Sequence, residues 1–373
     1  MRIHGPITHG VRSRGRGAKS QASYSRYHRR HGLGATLEPG RLAIKYADMQ
    51  GGTPQAMVVG SSVVTNAVTA ALANGILAHS DETDDSHAPS ETHPGCAVVP
   101  AAMAMGEKND CDGETFLKSV VLDYDVGSRV MRGLRPKDPF RGDRGRGFAS
   151  HAMGGVFGAA AAASGCTDMN PTQIRHLLSD TAQQASGITS WQTDVDHIEK
   201  AFDFAGMPAC SGVTSATTVE AGFTGVWDVF EGFNNLFDSY TVNHDRAALL
   251  NELGSRYEVM LTNIKRYCVG SPIQAPVDAL LNIMREHGVG PDDFQSMVAV
   301  TVNGENRLTG AEQSMPDIDM RYLLAVSLLD GDLTFESGHD VQGMEDAKVV
   351  GIMNRIEVRA DPSLVTPEVP AKA

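Results

Sequence analysis

Apolar residues recur at helical spacing through most of the chain before residue 262. In residues 62–80, SVVTNAVTAALANGILAHS, the apolar positions Val64, Val68, Leu72 and Ile76 follow the 3.6-residue period. This pattern predicts a helix that is rich in small side chains. The same criterion predicts helices over residues 95–107, 113–132, 148–164, 207–223 and 225–239, and another that begins at Pro171 after Asn170.

Strand-like alternation is confined to the last part of the chain, in residues 296–303 and 353–361. Helices are predicted at 273–287 and, between the two alternating stretches, at 319–330. The pattern therefore predicts a mainly α fold with an all-helical domain over 38–262 and a smaller α+β domain over 263–373. Because two strands are marginal alone, the second domain is expected to be C-terminally incomplete.

Composition narrows the class of protein. Hydrophobic residues make up 41% of the chain and charged residues 21%, which is typical of a globular protein. The formal net charge of −13 argues against nucleic acid as the main partner. Five scattered cysteines without a CxxC pair favour a reducing compartment, so a cytoplasmic location is expected. Since no apolar run reaches 18 residues, no membrane span is expected.

Residues 1–37 differ from the rest of the chain. They contain eight Lys and Arg residues and no Asp or Glu. A disordered basic tail and a transit peptide both have this composition, and the tail is the simpler interpretation. Ordered structure is expected to begin near Thr36.

Residues 78–95, AHSDETDDSHAPSETHPG, concentrate five carboxylates and three histidines after an Ala-rich helix. An EF-hand calcium loop beginning at Asp81 is excluded, because Ser86 replaces its glycine and Thr92 replaces its final glutamate. Histidine with carboxylate suits zinc, manganese or iron, but the stretch lacks HExxH and its histidines are not spaced along one helix face.

Two interpretations remain open on the residues alone. A solvated loop explains the charges. An acid–base site explains the histidines as well, because crowded carboxylates raise one another's pKa and histidine titrates near neutrality. Pro89, Pro94 and Gly95 favour a loop of defined shape.

Longer motifs resemble one family. The chain is similar to the MmgE/PrpD family in its helix ending in ANGILAHSDETDDSH, followed by THPG. Further segments resemble the family, from about residue 40 to 360: YDVGSRV at 124–130, RGFASHAMGGVFGAAAAA at 146–163, AFDFAGMPACSGVTSA at 201–216, GFTGVWDVFEG at 222–232, IKRYCVGSPIQAPVDAL at 264–280 and RYLLAVSLLDG at 321–331. The resemblance implies a helical domain plus a smaller α+β lid domain, usually in a homodimer, and no metal or other cofactor.

The resemblance also implies roles for ten residues. The residues expected to take part in catalysis are His93, Asp84, Asp85, Glu82, Ser86 and Tyr322. The residues expected to bind the substrate are Lys265, Arg129, His151 and His87. Structural alternatives remain for three of them: His93 as a brace of its loop, Asp85 as a turn or cap residue, and Lys265 as a solvated lysine.

The chain departs from the family at several positions. Ala149 stands where many members have a histidine, with His151 two residues later, and Cys210 stands where some have a lysine. Gly270 and Gln274 stand where decarboxylase-like members have histidines. These changes argue against cis-aconitate decarboxylation. Both ends also differ, so the chain is expected to be truncated relative to the family.

The chemistry implied is loss of water from a small hydroxy-polycarboxylate of the 2-methylcitrate type. A base removes the proton next to a carboxylate, and an acid protonates the leaving hydroxyl. An epimerase or isomerase of a related carboxylate would use the same proton abstraction. An inactive, truncated relative is the third alternative.

Overall fold

The computed structural model describes residues 32–134, 147–241, 243–302 and 315–364. The chain folds into two compact units. Unit 1 holds the described residues up to Thr262 except two short segments, 81–83 and 192–197, which belong to unit 2 with the residues from Asn263 onward. The predicted basic tail falls, up to residue 31, outside the described residues.

Unit 1 is built almost entirely from helices. Its helices are α1 (Glu38–Gln50), α2 (Ala67–His79), α3 (Pro94–Lys108), α4 (Gly113–Leu134), α5 (Ser150–Gly165), α6 (Pro171–Gln184), α7 (Ile198–Ala201), α8 (Met207–Glu220) and α9 (Leu236–Tyr240). A π-helical turn, Phe202–Gly206, joins α7 to α8. Its strands are β1 (Ala56–Met57) and β2 (Val64–Thr65), which pair antiparallel, and β3 (Asp85–Ser86).

Small residues let the long helices of unit 1 approach one another closely. A Cβ atom on Gly127 of α4 would overlap the carbonyl oxygen of Gly154 in α5. One on Gly158 would lie 2.9 Å from a methyl group of Val98 in α3. One on Gly212 of α8 would lie 2.5 Å from the carbonyl carbon of Ala159. The Ala/Gly-rich sequence of α5 therefore allows α4 and α8 to pack against it nearly backbone to backbone, and leaves room for the Val98 side chain of α3.

Unit 2 is mixed α+β. Its helices are α10 (Gln274–His287), α11 (Met320–Asp330), α12 (Phe335–Gly338) and α13 (Ala347–Met353), and its strands are β4 (Asn263–Ile264), β5 (Met297–Thr301) and β6 (Ile356–Ala360). Strands β5 and β6 pair in parallel, with Met297 opposite Ile356. The apolar core of the unit surrounds α11 and includes Leu323, Leu324 and Ile352. Asp319 caps the start of α11, and Gly331, with φ of 70°, ends it.

The mainly α fold with two domains, predicted from periodicity and resemblance, is confirmed. Local chemistry explains the start of α6, where Asn170 and Gln173 form a capping box before a first-turn proline. The predicted helix over 225–239 is wrong, since only Leu236–Tyr240 is helical. Gly222 and Gly232 adopt φ of 99° and 86° there, values that break the helix. The first residues of the predicted 62–80 helix instead form β2, and α2 starts after Asn66, whose side chain accepts from Thr69 N–H.

No helix in the described ranges combines the length and the hydropathy that a membrane span requires.

Candidate active site

The acidic–histidine stretch joins α2 to α3. His79 is the last residue of α2, and His93 is the residue just before Pro94, with which α3 begins. Proline is favoured at the first helical position, because it has no N–H to leave unpaired. The two helix boundaries therefore bring the two imidazoles to the same end of the α2–α3 pair.

Asp84 stands between these two histidines. Its Oδ2 atom accepts a hydrogen bond at 2.8 Å from Nδ1 of His79 and lies 3.0 Å from Nδ1 of His93. The side chains of Asp84 and His79 are fully buried, and that of His93 is 11% exposed. The approach of Asp84 to His93 is that of an ion pair, since Nδ1 of His93 makes no hydrogen bond with the described residues. The negative charge beside Nδ1 still favours the tautomer with its proton there, and Nε2 is then the nitrogen that can take up a proton.

Phe204, on the π-helical turn, contacts three imidazoles. Its ring centre lies 4.5 Å from that of His79, 5.5 Å from His93 and 3.8 Å from His151, and the first and last are stacked. The rings of His93 and His151 are 5.0 Å apart. We call Asp84, His79, His93, His151 and Phe204 the histidine cluster; all five belong to unit 1.

The position of His151 bears on one departure from the family, the alanine at position 149. Ala149, which stands where many family members have a histidine, precedes α5 and is buried. His151, one residue into that helix, stacks on Phe204 beside His93. The structure thus brings an imidazole to the cluster from a neighbouring position of the same segment.

Two charged groups near Phe204 were not among the predicted site residues. The Nζ atom of Lys200, a buried lysine, lies 5.1 Å from the centre of the Phe204 ring. Burial, reinforced by the nearby charge of Glu199, raises the pKa of Asp203 to about 7. π-helical turns occur frequently at functional sites. In sequence, Lys200 has no feature that separates it from a surface helix lysine.

Asp85 and His87, two predicted site residues, hold the loop together. Asp85 accepts hydrogen bonds from Gly95 N–H at 3.0 Å and Tyr124 O–H at 2.5 Å, which ties the loop to α3 and α4. Burial raises the pKa of Asp85, although the Tyr124 hydrogen bond works against this. His87 uses Nδ1 with Ser90 at 2.7 Å and Nε2 with Glu258 at 3.0 Å. Both side chains thus have protein partners that favour a structural role.

Ser86 and Arg129 complete the predicted residues of unit 1. Ser86 lies half-buried in β3. The guanidinium of Arg129 donates to backbone carbonyls at 2.6 Å from Asn251 and 3.0 Å from Arg256, and its Nε donates to Asp125 at 3.4 Å. These bonds favour a role for Arg129 in bracing the 251–256 loop rather than in binding a carboxylate.

Glu258 is a buried carboxylate that pairs with His87 and with two arginines. Burial alone would raise its pKa, but the His87 hydrogen bond and the charges of Arg132 and Arg256 outweigh it and lower the pKa to about 2. Arg132 lies 2.7 Å from its Oε1 atom and Arg256 3.0 Å. Ionised Glu258 therefore stabilises the folded state.

We expect Glu258→Gln to lower the free energy of unfolding by about 2–3 kcal/mol at pH 7, because it removes the charge that two arginines and His87 share. A depressed folded-state pKa means that this stability is present above the unfolded pKa and is lost as the pH falls toward about 2. Urea unfolding at pH 7 and at lower pH measures both effects.

Glu252→Gln is the matched control. Glu252 also pairs with Arg256, at 2.7 Å, but its side chain is 60% exposed. Exposed pairs contribute little, so this variant is expected to unfold as the wild type does. Equal losses in the two variants would contradict the role given to Glu258.

In unit 2, two predicted residues, Lys265 and Glu82, pair with each other. The Nζ atom of Lys265 donates to Glu82 Oε2 at 2.5 Å, and both side chains are buried. Lys265 is therefore not the solvated lysine of the alternative interpretation. His197 lies 2.8 Å from Asp317 and 3.8 Å from Glu82. His197 is buried, with φ of 64°.

Tyr322 is also in unit 2. Its hydroxyl lies 2.8 Å from the carbonyl oxygen of Ser337 and 3.1 Å from that of Asp340, within hydrogen-bond distance of both. Burial, followed by the charges of Asp340 and Asp330, raises the pKa of the phenol. This environment favours a structural role for a residue predicted to donate a proton.

One set of potential metal ligands in unit 1 overlaps the histidine cluster. Ligand atoms of His79, Asp84 and Cys96 lie within 4.8 Å of one another, and all three residues are buried. The Cys96 thiol lies 3.0 Å from the carbonyl oxygen of His93 and donates to it. The donor set suits a soft divalent ion such as Zn²⁺.

Comparison with known proteins identifies related sequences over almost the whole described chain. The model of the MmgE/PrpD N-terminal domain matches residues 32–248, and that of the MmgE/PrpD C-terminal domain matches residues 267–373. The cis-aconitate decarboxylase of Homo sapiens is 24% identical over 345 residues, which cover 88% of this chain and 69% of the human protein. The cis-aconitate decarboxylase of Mus musculus is 24% identical over 287 residues, covering 73% of this chain and 57% of the mouse protein.

Proposed function

Because the chain belongs to the MmgE/PrpD family, as its motifs predicted, we propose that it is a lyase acting on a small polycarboxylate. The proposed reaction is cofactor-independent loss of water from a hydroxy-polycarboxylate of the 2-methylcitrate type. The observation that carries this proposal is the Asp84–His93 pair, with a carboxylate at Nδ1 and the other ring nitrogen available to move a proton.

In the proposed reaction, Nε2 of His93 removes the proton next to a substrate carboxylate. Asp84, buried at 3.0 Å, stabilises the imidazolium that forms. The C–O bond then breaks, and the departing hydroxide takes up a proton and leaves as water. His151, with its ring 5.0 Å from that of His93, is the proposed second proton carrier.

A cation must hold the substrate carboxylate while negative charge builds on it. We propose Lys200 for this role, since its buried ammonium lies beside Phe204, the ring that the three imidazoles share. Arg129 is a weaker candidate, because its guanidinium donates to backbone carbonyls.

Cis-aconitate decarboxylation is the second candidate, favoured by the names of both relatives. Identity of 24% is too low to carry a substrate from one protein to another. The substituted positions Ala149 and Cys210 argue against it, because neither side chain can carry the positive charge of the histidine or lysine that other family members have there.

Proton NMR in D2O tests the proposal. The purified protein is mixed separately with 2-methylcitrate, citrate and cis-aconitate, with and without EDTA. An alkene product from a hydroxy acid that still forms with EDTA would support the dehydratase. Citrate would give a new vinyl proton. Where the new double bond carries the methyl group of 2-methylcitrate and no hydrogen, the methyl doublet would be replaced by a singlet shifted downfield. Carbon dioxide and a decarboxylated product from cis-aconitate would support the second candidate instead. Exchange of a C–H proton for deuterium without any alkene product would replace both with an epimerase. Turnover that EDTA abolishes would overturn the cofactor-independent mechanism.

A further inference from the structure

Two cysteines meet at one corner of unit 1. Cys111 lies in the turn between α3 and α4, and Cys166 directly follows α5. Both are free thiols, and their sulfur atoms are 3.2 Å apart. We propose that Cys111 and Cys166 form a reversible disulfide when the protein meets a hydroperoxide. This inference does not depend on the proposed function.

Backbone and side-chain contacts hold the two cysteines at this corner. The side-chain amide of Asn109, which follows α3, donates to the carbonyl oxygen of Cys166 at 2.9 Å. The N–H of Cys111 donates to the carbonyl oxygen of Gly106 at 3.0 Å. A Cβ atom on Gly106 would lie only 3.2 Å from the sulfur of Cys111, so glycine leaves the space that the thiols occupy. The pair is therefore fixed by the local fold.

The remaining movement is small. A disulfide bond is about 2.0 Å long, so the two sulfur atoms must approach by about 1.2 Å from their 3.2 Å separation. Rotation about the Cα–Cβ bonds can supply a shift of this size.

The two thiols differ in a way that assigns their roles. Cys111 is partly exposed, whereas Cys166 is buried. Burial, followed by the hydrogen bond with Cys111, raises the pKa of Cys166 to about 12. Cys111 is therefore the thiol that reacts first with a solvent-borne oxidant, and Cys166 the thiol that resolves the product.

The chemistry balances with one hydroperoxide. The Cys111 sulfur attacks the O–O bond, gaining an S–OH group while the other oxygen leaves as water. The Cys166 sulfur then attacks Cys111; the S–S bond forms, the S–O bond breaks, and the hydroxide leaves as water with the Cys166 proton. Two thiols lose two electrons, and hydrogen peroxide is reduced to two molecules of water.

The bond would tie the α3–α4 turn to the end of α5 and close a long loop of chain between positions 111 and 166. Closing such a loop restricts the unfolded chain, so the oxidised protein is expected to unfold at a temperature several degrees higher. Thiol reductants would return the unfolding temperature to its starting value.

The test treats the reduced full-length protein with hydrogen peroxide and then digests it with trypsin without reduction. We expect the intact protein to lose the mass of two hydrogen atoms. Residues 109–118 and 147–175, the tryptic peptides that contain Cys111 and Cys166, are expected to appear as one linked species that dithiothreitol separates. The unfolding temperature is measured on the same samples.

Cys111→Ser and Cys166→Ser should each abolish the linked peptide, and Cys268→Ser should retain it. Position 111 is partly exposed, so Cys111→Ser is expected to fold and to test the linkage even if Cys166→Ser fails to fold. Stepwise addition of oxygen to Cys111 without a linked peptide would overturn the proposal. So would a disulfide to another cysteine, or a link formed only between two molecules.

Discussion

His93→Gln is expected to lower kcat by about 10²–10⁴-fold with little change in KM, because a positioned general base contributes a factor of this size. Glutamine keeps a polar side chain of similar length before Pro94, so the start of α3 should be preserved. The rate is measured on whichever substrate the NMR experiment identifies, together with the circular dichroism spectrum and the unfolding temperature of the variant.

His244→Gln is the matched control for this substitution. His244 also pairs with an aspartate, Asp238, at 3.0 Å, but it is half-buried and lies outside the histidine cluster. This variant should keep the wild-type rate. If His93→Gln keeps most of the wild-type activity while its fold is intact, His93 is not the base, and the alternative of a brace for its loop becomes the better explanation.

Asp123→Asn is expected to stabilise the protein by about 1–3 kcal/mol at pH 7, an unusual direction for a core substitution. Asp123 lies fully buried on α4, and neither of its carboxylate oxygens accepts a hydrogen bond from any described residue. Burial alone raises its pKa well above the usual value. Asparagine has almost the same size and carries no proton to lose.

The raised pKa of Asp123 determines how the stability difference between the two proteins changes with pH. The folded state holds the Asp123 proton more tightly than the unfolded chain does. Stability is therefore complete below the unfolded pKa and falls as the pH rises toward the folded value, by up to about 1.4 kcal/mol per pH unit. The advantage of Asp123→Asn should vanish near pH 4 and grow above it.

Tryptophan fluorescence during urea unfolding is a suitable readout. Both tryptophans of the chain, Trp191 and Trp227, lie in unit 1 together with Asp123. Asp112→Asn is the control: Asp112 is exposed at the start of the same helix, and the hydrogen bond from Thr115 N–H lowers its pKa. A stability gain in Asp112→Asn, or a loss in Asp123→Asn that does not depend on pH, would contradict the argument.

The sequence could predict which segment holds the site, but not which acid serves His93. Asp84 and Asp85 are adjacent and chemically identical in the sequence. In the structure, Asp84 points to His79 and His93, whereas Asp85 accepts from Tyr124 and Gly95. The difference arises from tertiary packing. Asp84 meets imidazoles at the end of α2 and just before α3, whereas Asp85 meets the Tyr124 hydroxyl on α4 and the Gly95 N–H in α3. No local pattern encodes that choice.

Helices were predictable where periodicity and caps agreed, as in α6 with its Asn170–Pro171 start. The helix predicted over 225–239 was wrong because the spacing of its apolar residues resembles that of a buried helix face, although Phe233, for example, is 94% exposed. Lys200 was missed for a related reason. A lysine becomes a buried group beside an aromatic ring only through tertiary packing.

The glycine contacts of α5 limit how this protein can diverge. Where Gly127 meets Gly154, backbone faces backbone, so there is no side chain that a second substitution could shrink to restore the fit. In a contact between two large side chains, enlarging one side chain can be compensated by shrinking the other. The contact between Gly127 and Gly154 has no such compensating substitution. Family members that share little else are therefore expected to retain small residues here, as a constraint of shape that is separate from the chemistry of His93.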